Sequence, residues 1–157
     1  MDSYLLIKVI HIISAAVLFG TGLGIAFFML KAHLSGNREA MAVTTTNAVL
    51  ADWVFTTPAI VVQAATGLWL TARLSYPMNS LWFVLVVSLF AFVGLCWVPV
   101  VGIQIRIRNI ITHGGHPDEY RGLMKFWVIL GIPAFLGVLA LYFLMVTKIG
   151  LGTRVFT

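Results

Sequence analysis

The chain has 157 residues, of which 61% are hydrophobic and 10% are charged. Soluble domains carry about 25% charged residues, so this composition excludes a water-soluble globule. The formal net charge of +5 does not indicate a nucleic-acid partner, because the basic residues mostly lie at the ends of apolar runs, where they set membrane topology. The composition therefore predicts an integral protein of the lipid bilayer, with one compact domain and no separate soluble domain.

Four apolar segments are long enough to cross a bilayer, which takes about 20 residues of helix. They are residues 4–30, 50–72, 80–104 and 124–147. Short linkers join them, and the first linker is residues 31–47. The third linker ends in HPDEY, where Pro117 followed by two acidic residues is typical of a first helical turn. We predict a single transmembrane domain over residues 1–157, all-α in class, folded as a four-helix up-down bundle.

The distribution of lysine and arginine predicts the orientation of this bundle, because cytoplasmic loops carry an excess of basic residues. The side that holds the first and third linkers carries Lys31, Arg38, Arg106, Arg108, Arg121 and Lys125. The opposite side carries Lys8, Arg73, Lys148 and Arg154. Both termini are therefore expected outside.

The first span contains a histidine, His11, in the stretch VIHIISAAVLFGTGLG. An ionisable side chain in hydrocarbon is costly, and it marks a functional site or a hydrogen bond to a neighbouring helix. His11 shares a helix face with Gly22, and small residues on that face leave space for a flat cofactor or for a neighbouring helix. A second face carries Ala16, Gly20 and Gly24, and we interpret it as a helix-packing surface.

The second span carries a polar stripe, formed by Asp52, Thr56, Gln63 and Thr66 on one side of the helix. Such a stripe should face the bundle interior, because lipid would leave these groups without hydrogen-bond partners. Three interpretations compete. The stripe links helices, or it lines a narrow polar path, or its outer half, Gln63 and Thr66, joins His11 around a cofactor.

Other chemistry-bearing residues give weaker signals. Lys148 ends the last span on the same side as His11, so it is a candidate second ligand or charge partner beside that histidine. The HGGH segment at residues 113–116 is interpreted as a solvated linker, because no further Cys or His completes a zinc site. Serine-nucleophile, paired-carboxylate and nucleotide-binding signatures are absent, so the sequence identifies no enzyme class.

Four stretches carry a resemblance to a known family, and together they cover nearly the whole chain. They are KVIHIISAAVLFGTGLG, DWVFTTPAIVVQAATGL, WVPVVGIQIRIRNI and FWVILGIPAFLGVLALYFLMVTK. They resemble the bacterial integral membrane family of domain of unknown function 2269. The chain is also distantly similar to copper-resistance protein D domains and to the HemJ-type protoporphyrinogen oxidase, whose first-span histidine is tied to heme b. The resemblance implies a multi-pass protein of the bacterial inner membrane and points to His11.

Three functional hypotheses follow. The first is a small redox protein that binds one heme b, or a quinone, near the outer side. His11 would be its iron ligand or hydrogen-bond donor, Gln63 and Thr66 would support it, and Gly22 would leave space. Met145 and Lys148 are the candidate sixth ligands of the heme iron. The second is a cofactor-free accessory or assembly subunit that docks other membrane subunits, or a second copy of itself, through the Ala16–Gly20–Gly24 face. The third, a small-solute transporter, rests on Asp52.

Overall fold

The computed structural model describes residues 2–148, apart from the side chains of residues 117 and 118. Its elements are α1 (Ser3–Leu34), α2 (Arg38–Ala51), a π-helical turn (Asp52–Thr56), α3 (Thr57–Arg73), α4 (Leu81–Thr112) and α5 (Pro117–Thr147). The helices α2 and α3 and the π turn between them form one helical rod. Four rods are thus long and apolar enough to cross a membrane. The predicted all-α four-helix transmembrane fold is confirmed.

Local sequence signals set the helix ends. Three helices begin after a residue whose side-chain oxygen accepts a backbone N–H of the first turn, which satisfies a donor that has no partner inside the helix. These residues are Asp2, Asn37 and Ser80. Glycines with positive φ follow α1 and α4, at Gly36 (66°) and Gly114 (81°), where a side chain would strain the backbone. The fifth helix begins at Pro117, as the HPDEY segment predicts.

The first linker differs from the expectation, because it is helical from Arg38 onward. Asn37 caps this helix by accepting the backbone N–H of Ala40. Met41, Thr45 and Ala48 are buried and follow one another at helical spacing, so α2 has a face that packs in the bundle. The polar stretch that separates the apolar runs is therefore a partly buried helix, and the turn between α1 and α2 is only residues 35–37.

The best-packed core lies in one half of the bundle. Each rod contributes one fully buried apolar side chain to it: Met29, Met41, Ile107 and Met124. We call this half the Asp52 side; it contains the α1–α2 and α4–α5 turns. We call the other half the His11 side; it contains the start of α1, the α3–α4 loop and the end of α5.

The rods pair differently on the two sides. On the Asp52 side, α2 packs against both α1 and α4. On the His11 side, α3 packs against α1, while α5 packs along α4. The ring of Phe19 on α1 bridges to α5, with ring centroids 5.4 Å from Phe135 and 5.8 Å from Tyr142. The bundle is therefore tightest on the Asp52 side, and the α1–α3 pair is more isolated on the His11 side.

Candidate functional site

A hydrogen-bonded group of four side chains joins α1 to α3 on the His11 side, and we call it the His11 cluster. It consists of His11 and Ser14 on α1 and of Gln63 and Thr66 on α3. His11 Nδ1 lies 2.8 Å from Thr66 Oγ1, and His11 Nε2 lies 3.0 Å from Gln63 Nε2. The Ser14 hydroxyl donates to Gln63 Oε1. Both predicted stripe residues of the outer half thus contact the histidine directly.

The directions of these bonds follow from the donors available. The Thr66 hydroxyl donates to the backbone carbonyl of Val62, so it accepts from His11 Nδ1–H. The other ring nitrogen, Nε2, then carries a lone pair and accepts from the Gln63 amide. This assignment gives an acceptor to the Nδ1–H, to the Thr66 hydroxyl and to one N–H of the Gln63 amide, and it needs a neutral imidazole with its proton on Nδ1.

The space beside His11 comes from a glycine on the opposing helix. A Cβ added at Gly67 would lie 3.2 Å from His11 Cε1, which is tighter than ordinary contact. Gly22, by contrast, is exposed and would have nothing within 4 Å of an added Cβ. It lies eleven residues along α1 from the histidine, or about 16 Å. Gly67 therefore sets the approach of α3 to the ring.

The remaining sequence candidates lie away from His11. Gly20 is exposed, and neither Gly20 nor Gly24 would bring an added Cβ within 4 Å of another group. The ammonium of Lys148 donates to the Tyr76 hydroxyl at 2.9 Å and lies 5.4 Å from the centroid of its ring. The polar partners of His11 are Thr66 and Gln63, so neither Lys148 nor Met145 is brought to it.

A shallow apolar groove runs beside the His11 cluster on the outer surface of the α1–α3 pair. Its volume is about 280 Å³. The lining side chains are apolar with one exception, Ser14: Ile10, Ile13, Ser14, Val17, Val54, Phe55, Pro58, Ala59 and Val62. Several of them, including Ile13 and Phe55, are more than half exposed on the face that lipid would cover. Ser14 thus belongs both to the groove and to the hydrogen-bonded cluster.

A second polar group lies on the Asp52 side, and we call it the Asp52 cluster. It consists of Asp52, Trp97, Gln104 and Trp127, from the π turn, α4 and α5. Trp97 Nε1 donates to Asp52 Oδ1 at 3.4 Å. In the amide orientation that satisfies its neighbours, Gln104 donates to Asp52 Oδ2 at 2.6 Å and accepts from Trp127 Nε1 at 3.2 Å. Asp52 is 3% exposed and Gln104 is 1% exposed, so this carboxyl group is buried among neutral donors.

The π turn places Asp52 in this position. Pro58 has no N–H to donate to the carbonyl four residues before it, which favours a local departure from α-helical geometry. Instead, both the backbone N–H and the hydroxyl of Thr57 bond to the carbonyl oxygen of Asp52. Thr56, the second stripe residue, is 6% exposed.

The side chains around His11 do not fit a heme iron as they are placed. An axial histidine must offer a ring-nitrogen lone pair to the metal. His11 Nε2 instead faces the Gln63 amide, and Nδ1 faces Thr66. Among residues 2–148, no group of three or more His, Cys, Asp or Glu side chains could hold a metal ion. The arrangement suits a ligand that is bound by hydrogen bonds.

Sequence reasoning missed several residues of the two clusters. Ser14 lies three residues after His11, and this helical spacing is the signal that could have identified it. Gln104 is a lone amide within an apolar run, and it could have been paired with Asp52 as a buried polar group. The sequence contains no comparable signal for Gly67, because its role depends on the rotation of α3 toward α1.

Comparisons with known proteins agree with this membrane fold. No curated protein and no solved structure matches the chain. A family model described as "predicted integral membrane protein (DUF2269)" matches residues 5–149. The match spans all four membrane-crossing rods and includes both polar clusters. The chain is therefore a member of the DUF2269 family of integral membrane proteins.

Proposed function

We propose that this protein binds a lipid-soluble quinone in the groove between α1 and α3, with the His11 cluster holding the quinone carbonyl. The observation that carries the proposal is the double position of Ser14, which lines the apolar groove and donates to Gln63 within the cluster. A ligand that lies in the groove can therefore reach a polar relay without entering the bundle.

The chemistry of the groove matches that of a quinone. A quinone headgroup presents carbonyl oxygens that accept hydrogen bonds, and its isoprenoid tail is apolar. The Ser14 hydroxyl is a donor that can turn from Gln63 toward such a carbonyl. The exposed side chains of Ile13 and Phe55 supply an apolar surface that continues into the lipid. Ligand sites commonly combine a mostly apolar lining with a few well-placed polar groups.

His11 would act behind this donor rather than as a metal ligand. Its hydrogen bond to Gln63 orients the amide, and the amide in turn accepts from Ser14. Thr66 holds the other side of the ring at 2.8 Å. The heme hypothesis needs Gln63 to leave His11 Nε2 and a second ligand to approach, whereas quinone binding needs only the Ser14 hydroxyl to turn from Gln63.

The test is quinone retention by the detergent-purified protein. The protein is incubated with decylubiquinone and passed through gel filtration, and the quinone in the protein peak is extracted and quantified. Ser14→Ala should weaken binding about fivefold, since one hydrogen bond is worth about 1 kcal/mol. The matched control is Ser88→Ala, which removes an exposed hydroxyl on α4 away from the groove. This control should retain quinone like the wild type.

Two results would overturn the proposal. One is wild-type protein that retains no more quinone than empty micelles. The other is equal retention by the Ser14→Ala and Ser88→Ala proteins. A visible spectrum of the same preparation, oxidised and dithionite-reduced, tests the heme hypothesis. Sharp bands in the reduced spectrum that are lost in the His11→Phe protein would show that the ligand is heme b and not a quinone.

A second candidate function is that of an accessory subunit, and the exposed small-residue face of α1 favours it. Gly20 is exposed, and it has open space around it in the single chain, so another membrane helix could approach its backbone closely. Gly20→Leu should then release a co-purifying membrane subunit while leaving quinone retention unchanged. An unchanged set of co-purifying proteins would remove this candidate.

A further inference from the structure

A second cavity lies at the opposite end of the bundle from the His11 cluster. Its volume is about 480 Å³, and it forms where α1 and α4 end and α2 and α5 begin. The rim of the cavity is formed by four polar side chains and two glycines: His33, Arg38, Tyr120, Arg121, Gly36 and Gly115. Its floor includes Met41 and Ile111, which are 1% and 5% exposed. The cavity thus has a packed apolar floor under a basic rim.

The guanidinium of Arg38 is held in a fixed orientation at this rim. Its Nε donates to the carbonyl of Ile111 at 3.3 Å. Its Nη2 donates to the carbonyls of Ile110, Ile111 and Gly115 at 3.1 to 3.3 Å. These bonds cap the end of α4 and use two of the three nitrogens. Arg38 therefore presents a pre-ordered positive charge, which binds an anion at a lower entropic cost than a mobile side chain.

His33 adds a polar group without a partner. Its Nδ1 is buried and has no hydrogen-bond partner among residues 2–148. Its ring is held edge-on against Tyr120, with centroids 5.8 Å apart. A buried polar atom without a partner is costly, and it commonly marks the place of a missing ligand or water. In the tautomer protonated at Nδ1, His33 would supply a further hydrogen-bond donor in the wall of the cavity that Arg38 also lines.

The position of the cavity along the bundle indicates where its ligand comes from. Helix α1 has 32 residues. At 1.5 Å per residue it is about 48 Å long, which exceeds the hydrocarbon thickness of about 30 Å. The ends of the rods therefore reach the layer of lipid headgroups. Of the nine lysines and arginines within residues 2–148, six lie on this side: Lys31, Arg38, Arg106, Arg108, Arg121 and Lys125.

From these observations we propose that the cavity binds a phosphate group at the membrane surface, with Arg38 and Arg121 as its cations and His33 Nδ1 as a further hydrogen-bond donor. The two glycines at the rim, Gly36 and Gly115, have no side chain that would obstruct the approach of a headgroup. Basic pockets between transmembrane helices are a recognised way of binding anionic lipid headgroups. This site is separate from the His11 cluster and does not depend on quinone binding.

The experiment is native mass spectrometry of the intact detergent-purified protein, titrated with phosphatidylglycerol. Arg121→Gln should weaken lipid binding about fivefold, since one basic residue near the surface is worth about 1 kcal/mol. His33→Phe should weaken it by a similar factor while keeping an aromatic ring against Tyr120. The matched control is Arg108→Gln, which removes an equal charge from the same side of the bundle. Arg108 lies outside the cavity, where it is bonded to the Asn109 side chain at 3.1 Å. This control should change binding less than twofold.

A competition arm distinguishes the two sources of phosphate. If millimolar inorganic phosphate leaves the lipid complex intact, the ligand is a lipid headgroup. If inorganic phosphate displaces the lipid from both the wild-type protein and the Arg121→Gln protein, the ligand is a free phosphate group. Equal lipid binding by the Arg121→Gln, His33→Phe and Arg108→Gln proteins would overturn the proposal, because a diffuse surface charge would then explain all of the binding.

Discussion

The His11 cluster and the Asp52 cluster both include residues of the rod formed by α2, the π turn and α3, but their surroundings differ. Gln63 follows Asp52 by eleven residues, or about 16 Å along the axis. The Asp52 cluster connects the π turn to α4 and α5 and lies next to the packed core. The His11 cluster connects only α1 and α3, and one of its members lines a lipid-facing groove.

This difference separates two uses of polar groups in a membrane. Asp52 and Gln104 are almost completely buried, and their hydrogen bonds hold three helical elements together. In the His11 cluster, His11 and Gln63 are half-buried, whereas Ser14 and Thr66 are 6% and 9% exposed. Ser14 lines the groove, where it can exchange its bond to Gln63 for one to a bound molecule. The contrast is consistent with a structural role for the Asp52 cluster and with the ligand-binding role that we propose for the His11 cluster. The following predictions test this contrast.

The largest effect is expected from Gln104→Leu. The substitution leaves Asp52 Oδ2 and Trp127 Nε1 without a partner in the interior, which should cost about 2 kcal/mol of unfolding free energy. Unfolding is followed by circular dichroism as SDS is added to the detergent-solubilised protein. Gln63→Leu is the comparison on the His11 side, and it should cost about half as much. Equal losses for the two variants would remove the structural distinction between the clusters.

A smaller effect is expected from His11→Phe. It removes two interhelical hydrogen bonds, each worth about 0.6 kcal/mol on average in membrane proteins, so the loss should be about 1 kcal/mol. A double-mutant cycle with Thr66→Val should give a coupling energy of about 0.6 kcal/mol. The control cycle combines His11→Phe with Thr45→Val on the Asp52 side, where the Thr45 hydroxyl bonds to the Met41 carbonyl of its own helix. Coupling of similar size in both cycles would contradict the proposed contact.

Gly67→Ala tests the fit of α3 against the histidine ring. Alanine is favoured over glycine inside a helix by about 1 kcal/mol, but the new Cβ would lie 3.2 Å from His11 Cε1. Gly94→Ala on α4 is the matched control, because its Cβ would have nothing within 4 Å. Gly67→Ala should be less stable than Gly94→Ala by about 1 kcal/mol. It should also shift the NMR signal of the His11 Cε1 proton, which Gly94→Ala should leave in place.

The smallest effect on stability is expected at Gly20, which belongs to neither cluster. Gly20→Leu places a side chain on the exposed face of α1, so the unfolding free energy of the single chain should change by less than about 0.5 kcal/mol. The same SDS titration measures it. A loss of more than about 1 kcal/mol would mean that this face is buried in the detergent-solubilised protein, as in a complex or a dimer.

Much of the fold could be predicted from the sequence. Hydropathy and segment length identify four spans, and the HPDEY segment marks the start of α5. The helix before Asp52 was harder to predict, because residues 31–47 are too polar to be recognised as part of a span. These residues form a helix because Met41, Thr45 and Ala48 are buried against the other rods. The burial of Trp127, which is 7% exposed and bonded to Gln104, also follows from packing across the bundle.

The candidate site was predictable only in part. His11, Gln63 and Thr66 could be placed in the same half of the bilayer by counting residues from the helix ends, and the structure joins them by hydrogen bonds. Ser14 and Gly67 were not identified. Ser14 carries a weak signal, because it lies three residues after His11 on the same helix. A glycine beside a threonine is common in membrane helices, so Gly67 does not stand out before α1 and α3 are brought together.

The sequence by itself determined the membrane environment, the four helical spans and the polar stripe, because hydropathy and helical periodicity are properties of single segments. Only the tertiary structure decided which polar groups meet. It turned one ring nitrogen of His11 toward Gln63 and the other toward Thr66, placed Ser14 at the groove, and paired Asp52 with Gln104. The physical reason is that such contacts depend on the rotation and axial offset of each helix against its neighbours, which are set by packing across the whole bundle.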